Sequence, residues 1–231
     1  MNLDCLFART LLASTLATAM LVGAQQAAAE TSATISASNM YLYRGVNLSN
    51  PNPQIAGSLD YAHNSGLYAG IWGSSEGLAG SSEYDLYAGY SVEMGALSFD
   101  ANLTDYNYPS ATGEEDLGDY TEVILGATFT QDKMSVEAKL ADSIQGANSS
   151  PYAGGYYYTS LTGAYDKISV KWGAVSYSDT VELAEYQHID LGFAFNDEVS
   201  FTLSKVVDTD QGKIADNDAL FAVTWTKTFE M

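Results

Sequence analysis

Residues 119–143 of this chain read DYTEVILGATFTQDKMSVEAKLADS. Apolar and polar side chains alternate at every position from Met134 to Leu140. Alternation with a period of two is typical of a β-strand that has one apolar face and one polar face. The preceding segment, Gln131-Asp132-Lys133, has the polar composition of a tight turn. The stretch therefore predicts two antiparallel strands joined by a hairpin.

The same alternation continues along the chain, and we predict twelve strands of about ten residues each. They lie at 33–44, 54–64, 67–75, 83–92, 97–107, 119–130, 134–143, 156–165, 168–177, 185–195, 199–207 and 218–229. At about 3.3 Å per residue and a tilt of ~40°, ten residues rise ~25 Å. This rise matches the apolar band of an outer-membrane barrel.

The connections between these strands alternate between short and long. Tight turns follow the even-numbered strands, whereas longer polar loops such as 109–118, 145–155 and 208–217 follow the odd-numbered ones. This pattern predicts a closed antiparallel transmembrane β-barrel with short periplasmic turns, long extracellular loops and both termini in the periplasm. A soluble β-sandwich would show similar alternation, but it needs a packed core and protected edges.

The first 29 residues have the features of a cleavable signal peptide. Arg9 precedes an apolar stretch at 11–22, and Ala27-Ala28-Ala29 offers a cleavage site. The predicted domains are therefore a signal peptide at 1–29 and a single barrel domain at 30–231, exported to the bacterial outer membrane. Cys5 is the only cysteine and leaves with the signal peptide, so no disulfide is expected.

The composition excludes several classes of protein. The formal net charge is −20, which argues against binding to nucleic acid. A disordered acidic chain is excluded by the 17 Tyr, 8 Phe and 3 Trp residues.

Many of these aromatic residues fall near the predicted strand ends, which predicts two aromatic girdles. The external girdle would contain Tyr41, Tyr43, Tyr84, Tyr106, Tyr108, Tyr120, Tyr156, Tyr157, Tyr158, Tyr177 and Tyr186. The periplasmic girdle would contain Tyr61, Tyr68, Tyr90, Phe129, Tyr165, Phe195 and Phe229.

A family resemblance rests on motifs in the first half of the chain. These are Tyr41-Leu42-Tyr43-Arg44-Gly45, Pro53-Gln54 with Gly57, Asp60-Tyr61-Ala62-His63, Ser65-Gly66-Leu67-Tyr68, Gly70 with Trp72, the set Glu83, Asp85, Tyr87, Gly89 and Tyr90, and Tyr108-Pro109. On these motifs the sequence resembles the TorF family of proteobacterial porins. The later half matches in strand pattern alone. The resemblance implies an outer-membrane pore.

Pointing the apolar faces outward places eight charged side chains in the lumen. They are Asp60, Asp85, Asp100, Glu122, Glu137, Lys139, Lys171 and Asp190. Six acids against two lysines predict an interior that prefers cations. The alternative is a closed barrel whose inward charges pair, with Glu137 and Lys139 as one candidate pair. Arg44 is a ninth pore-lining candidate at the external mouth, where it would contact an anion, set a constriction or pair with a loop carboxylate.

The function predicted from these features is a porin-like channel for passive diffusion of small polar, cationic solutes. The alternative is a non-conducting structural or surface barrel that acts through its acidic external loops, and the third candidate is an outer-membrane enzyme. His63 and His188 are expected at opposite ends of the barrel, with His188 and Asp190 as a structural hydrogen-bonded pair. Because no catalytic motif occurs, we predict no enzymatic activity, no cofactor and no metal site.

The predicted partners follow from this placement. They are outer-membrane lipid, lipopolysaccharide, the barrel assembly machinery and small polar solutes. The machinery reads a terminal aromatic residue, and here Phe229 is followed by Glu230 and Met231. Nucleic acid is not an expected partner, and a homo-oligomer remains open.

Overall fold

The computed structural model describes residues 30–49, 52–77, 81–109, 120–146, 155–178, 185–209 and 218–231. The predicted signal peptide at 1–29 lies outside the described residues. Within these ranges, no helix is long and apolar enough to cross a membrane. The strands of the described chain are β1 (Glu30–Ser38), β2 (Leu42–Tyr43), β3 (Val46–Asn47), β4 (Gln54–Ala62), β5 (Leu67–Ser74), β6 (Glu83–Met94), β7 (Leu97–Asn107), β8 (Tyr120–Gln131), β9 (Met134–Gly146), β10 (Tyr156–Tyr165), β11 (Ile168–Tyr177), β12 (Tyr186–Ala194), β13 (Val199–Thr209) and β14 (Leu220–Glu230).

Twelve of these strands form a closed antiparallel barrel in which nearly all neighbours are consecutive in the sequence. The barrel closes because β1 pairs with β14 on one side and with β4 on the other, so that Ser32 lies between Glu230 and Asp60. Closure leaves no unpaired strand edge. The predicted barrel of twelve strands is confirmed.

The predicted end of the first strand, 33–44, is wrong. β1 stops at Ser38, and β2 and β3 form a separate two-stranded hairpin that is not part of the barrel wall. Asn39 ends the pairing of β1 with β14, since its side chain accepts a hydrogen bond from Val223 N at 2.7 Å and donates one to Phe221 O at 3.0 Å. The chain then leaves the wall.

The two faces of the barrel wall differ in polarity. In β6, for example, Leu86 and Tyr90 are exposed on the outside, whereas Asp85 is buried on the inside. The same alternation in β10 leaves Leu161 exposed and Ser160 and Thr162 buried. An apolar outer surface around a polar interior is the reverse of a soluble protein and is typical of a transmembrane barrel.

The two ends of the barrel differ in the length of their connections. One end, here called the turn end, carries both chain termini of the barrel and the tight turns after β4, β6, β8, β10 and β12. Asp132, Asp166 and Gly95 begin three of these turns with positive φ angles of 53°, 54° and 68°, a conformation that the primed hairpin turns have at their first central residue. The opposite end, called the loop end, carries the long connections.

Candidate functional site at the loop end

The β2–β3 hairpin folds into the barrel from the loop end. Its turn, Arg44-Gly45, has positive φ angles of 45° and 85°, the geometry of a type I′ turn. The base is tied by Leu48 N donating to Tyr41 O at 2.8 Å and by Tyr41 N donating to Ser49 Oγ at 2.7 Å. These bonds hold the hairpin as a defined element.

The tip of the hairpin reaches the opposite wall. Arg44 contacts Glu122 and Tyr158, and Gly45 packs against His188. These three wall residues are the third residues of β8, β10 and β12, which lie across the ring from β1 and β4. A Cβ atom on Gly45 would lie 2.5 Å from Cβ of His188, so glycine is required there. The hairpin therefore bridges the lumen just inside the loop end.

Arg44 and Glu122 form a buried, bidentate ion pair. Nη1 donates to Oε1 at 2.9 Å and Nη2 donates to Oε2 at 2.7 Å, while Tyr106 adds a hydroxyl donor to Oε2 at 2.9 Å. Arg44 is 4% exposed and Glu122 is 0% exposed. Such a pair fixes the position of both groups. Arg44 is thus paired with the barrel wall, and not with a loop carboxylate or exposed at the mouth.

Aromatic rings surround this guanidinium. Its central carbon lies 4.8 Å, 5.0 Å and 4.5 Å from the ring centroids of Tyr43, Tyr156 and Tyr158. A cation over aromatic faces is stabilised by the ring quadrupoles, more so where water is excluded. We call Arg44, Glu122 and these three tyrosines the arginine cage. The left-handed backbone at Arg44, which is unfavourable for a residue with a side chain, is offset by these contacts.

The predicted external girdle is wrong for most of its members. Tyrosines expected on the lipid side are buried inside the barrel, namely Tyr41, Tyr43, Tyr106, Tyr108, Tyr120, Tyr156 and Tyr158. Tyr84 and Tyr157 are the predicted members that lie outside, each 41% exposed. Several of the inner rings stack together, as Tyr106 and Tyr120 do at 4.5 Å between centroids. The signal was present in the sequence, because Tyr106 has the same strand parity as the polar Asn102 and Thr104.

At the turn end, most residues predicted for the periplasmic girdle do lie on the outer surface. Tyr61, Tyr90, Tyr165, Phe195 and Phe229 are all exposed on the outer surface. Tyr68 is an exception because it points inward, where its hydroxyl donates to Asp100 Oδ2 at 2.8 Å.

The eight lumen candidates on the strands all lie on the inner face, and most have a hydrogen-bonding partner there. Asp60 accepts bonds from the hydroxyls of Tyr87 and Ser58. Glu137 lies 3.1 Å from Nζ of Lys139, which confirms the predicted pair. Lys171 lies directly across from Asp190 on the neighbouring strand.

His188 and Asp190 form the predicted structural pair. Nδ1 of His188 lies 2.9 Å from Oδ1 of Asp190, and Nε2 lies 3.1 Å from the hydroxyl of Tyr158. Ser204 donates a further bond to Asp190 Oδ1 at 2.7 Å. His63 is at the turn end beside Ser65. The two histidines therefore do not share a site, as predicted.

Asp85 differs from the other lumen carboxylates. It is 0% exposed, and neither of its oxygens has a hydrogen-bond partner within the described part of the chain. Glu83, two residues earlier on the same inner face, accepts a bond from Tyr108 on Oε1 at 2.9 Å, while its buried Oε2 has no partner. Glu83 was not among the lumen residues predicted from the sequence, although it has the parity of Asp85. No cluster of three or more His, Cys, Asp or Glu side chains among the described residues is arranged to hold a metal ion.

Comparisons with known proteins agree with this architecture. The KdgM porin superposes with a TM-score of 0.53 at 9% identity, covering 86% of this chain and 99% of that one. A structure of the KdgM porin in complex with disordered oligogalacturonate gives 0.52 at 8% identity, covering 87% and 99%.

The fold is thus that of outer-membrane porins. A search of curated protein sequences found no match. A family model, described as a bacterial protein of unknown function (Gcw_chp), matches residues 23–228. The chain therefore belongs to the Gcw_chp family.

Proposed function

We propose that this chain is an outer-membrane channel through which small polar solutes, and cations in preference to anions, diffuse passively. The observation that carries the proposal is the charge of the inner face. Seven carboxylates lie there among the described residues, namely Asp60, Glu83, Asp85, Asp100, Glu122, Glu137 and Asp190. They face three cationic side chains, namely Arg44, Lys139 and Lys171. An excess of carboxylates in a narrow passage concentrates cations and repels anions.

The β2–β3 hairpin would form the constriction of this channel. It crosses the lumen from β1 to the wall formed by β8, β10 and β12. Because a barrel of this size can be narrowed by its own loops, the hairpin limits passage to small solutes. The resemblance to the TorF porins and the shared fold with the KdgM porin agree with the proposal.

The second candidate is a barrel that does not conduct and acts through its acidic loops. One specific observation favours it: the hairpin and the inner tyrosines are packed so closely that Arg44, Tyr106 and Tyr156 are almost fully buried. In that case the loop end would be a plug.

Conductance in planar bilayers separates the two candidates. Refolded residues 30–231 are expected to give discrete steps, with a reversal potential on the cation side in a salt gradient. Asp85→Asn is expected to move that potential toward zero because it removes an unpaired inner charge. Asp105→Asn is the matched control, because Asp105 is exposed on the outer face of β7. Bilayers that stay silent at high protein concentration would favour the plugged barrel.

We further propose that the loop end faces the outside and contacts lipopolysaccharide, with both termini periplasmic. Phe229 would be the residue read by the assembly machinery. Since the barrel domain has no cysteine, single cysteines report the orientation. A membrane-impermeant maleimide applied to intact cells should label Ser75→Cys at the loop end and leave Ser65→Cys at the turn end unlabelled. The reverse labelling would invert the orientation.

A further inference from the structure

Among the described residues, the inner face holds a buried carboxylate, that of Asp85, whose charge no hydrogen-bond donor compensates. Asp85 has no exposed surface, and both of its oxygens are without hydrogen-bond donors in the described ranges. A buried charge of this kind is strongly unfavourable unless it is paired or coordinates a cation. Oε2 of Glu83 is a third buried oxygen without a donor, on the same face of β6.

The surroundings of Asp85 increase this imbalance. The charged groups that act on it most strongly are the carboxylates of Glu83, Glu122 and Asp105. Arg44 is the nearby cation, but both of its terminal nitrogens are engaged by Glu122. Of the described groups here, the inner carboxylates of Asp85, Glu83 and Glu122 carry three negative charges, and the guanidinium of Arg44 carries one positive charge. Two negative charges are therefore left uncompensated within this set.

A shared proton would not satisfy these atoms. A protonated carboxyl group still needs an acceptor for its hydroxyl and a donor for its other oxygen. No donor to either oxygen of Asp85 is found among the described residues, so a proton on one oxygen would leave the other unsatisfied. A single cation, in contrast, can be bound by several carboxylate oxygens at the same time.

We infer that Asp85 and Glu83 form a binding site for a hard divalent cation of the calcium class. The oxygen donors fit such an ion, and its charge equals the local excess. Tyr108 positions Glu83 through the hydrogen bond to Oε1. The backbone at Gly77 covers the site, since a Cβ atom there would lie 3.3 Å from Oε2 of Glu83. The inference depends on the proposed function in one respect: solutes, including the cation, must be able to reach the lumen.

Two carboxylates are fewer than most protein sites for calcium provide, so the remaining ligands would be neutral oxygens. The buried hydroxyl of Tyr41, which lies beside Glu83, is one candidate. This composition predicts weak binding, with a dissociation constant on the order of 10⁻⁴–10⁻³ M, as in other weak calcium sites. A site of that strength would be occupied outside the cell and released when divalent cations are scarce.

Terbium luminescence tests the site directly on refolded residues 30–231 in detergent. Tb³⁺ replaces calcium, and Trp72, the cross-strand neighbour of Asp85, would sensitise its emission. The expected result is a saturable signal that Ca²⁺ displaces and Na⁺ of equal ionic strength does not. Asp85→Asn should weaken binding by about tenfold or more, the range seen when a partner of a metal ligand is lost. Glu83→Gln is the second variant, and Asp197→Asn, an exposed carboxylate in the turn after β12 at the turn end, is the control that should bind normally.

A signal unchanged by Asp85→Asn and Glu83→Gln would place the ions on the acidic loops and overturn the inference. Equal displacement by Na⁺ would mean charge screening alone and would overturn it as well. The assay does not depend on conduction. A barrel that binds calcium through Asp85 but is silent in bilayers would support this site and contradict the proposed channel. A conducting barrel without such binding would do the opposite.

Discussion

The arginine cage and the Glu83–Asp85 pair both contain buried carboxylates at the loop end, but the two groups differ in how the carboxylate charge is compensated. Glu122 receives two hydrogen bonds from Arg44 and one from Tyr106. Asp85, equally buried, receives none within the described chain. The first group is a closed structural unit that anchors the hairpin. The second has unused oxygen ligands. Thus a position on the inner face does not by itself determine the role of a carboxylate. The role depends on whether a neighbouring cation or hydrogen-bond donor compensates its charge.

The largest effect should come from breaking the arginine cage. Glu122→Gln leaves Arg44 buried without a counter-charge, which should lower the free energy of unfolding by about 3–5 kcal/mol. Urea unfolding of the barrel in lipid vesicles measures this change. Replacing both partners with apolar residues, as in Arg44→Met with Glu122→Leu, should recover most of the loss. A double variant as unstable as Glu122→Gln would show that the pair is not the main anchor.

A smaller loss is expected at the hairpin tip. Gly45→Ala adds a side chain to a left-handed residue and places Cβ 2.5 Å from Cβ of His188. The backbone term alone costs about 1–2 kcal/mol, and the contact adds to it. Gly95→Ala is the matched control, since Gly95 has a φ of 68° and a Cβ added there would meet no atom within 4 Å. Equal losses of stability at both positions would mean that close packing of the hairpin tip against His188 adds nothing to the cost of Gly45→Ala.

Removing a charge from the Glu83–Asp85 pair should change the free energy of unfolding in the opposite direction. With a chelator present, Asp85→Asn removes an uncompensated buried charge and should raise the free energy of unfolding by about 1–3 kcal/mol. Thermal unfolding followed by heat-modifiable gel migration measures the change. Added calcium should reduce the difference from the unmodified chain. A loss of stability in the chelator would show that Asp85 has a donor after all.

The smallest effect is expected for an exposed ion pair at the turn end. Lys133 lies 3.2 Å from Asp166, and both side chains are more than half exposed. Lys133→Gln should therefore cost about 0–1 kcal/mol in the same urea assay. A loss as large as that of Glu122→Gln would contradict the view that burial is what makes the arginine cage a strong anchor.

The sequence was sufficient to predict the wall of the barrel. The alternation from Met134 to Leu140 predicts which side chains point outward, because each strand must present its apolar face to lipid. The short turn at Asp132 predicts that the two strands it joins are antiparallel. The same parity predicted that Asp85 and Glu122 point inward. These features are local, so one chain is enough to read them.

The hairpin could not be predicted in the same way. Tyr41 and Tyr43 continue the alternation of β1, so the pattern extends the predicted strand to Arg44. What ends β1 is the side chain of Asn39 bonded to β14, a contact between residues far apart in sequence. The partner of Arg44, Glu122, is likewise 78 positions away. Interactions at this separation leave no periodic signal.

The central claim is that the β2–β3 hairpin narrows an acidic, conducting barrel. The most direct test compares single-channel conductance of refolded residues 30–231 with that of a variant in which residues 40–48 are replaced by a short Gly-Ser linker. We expect small cation-selective steps from the unmodified chain and several-fold larger, still cation-selective steps from the variant. Steps of equal size, or silence from both chains in bilayers that accept the protein, would contradict this account.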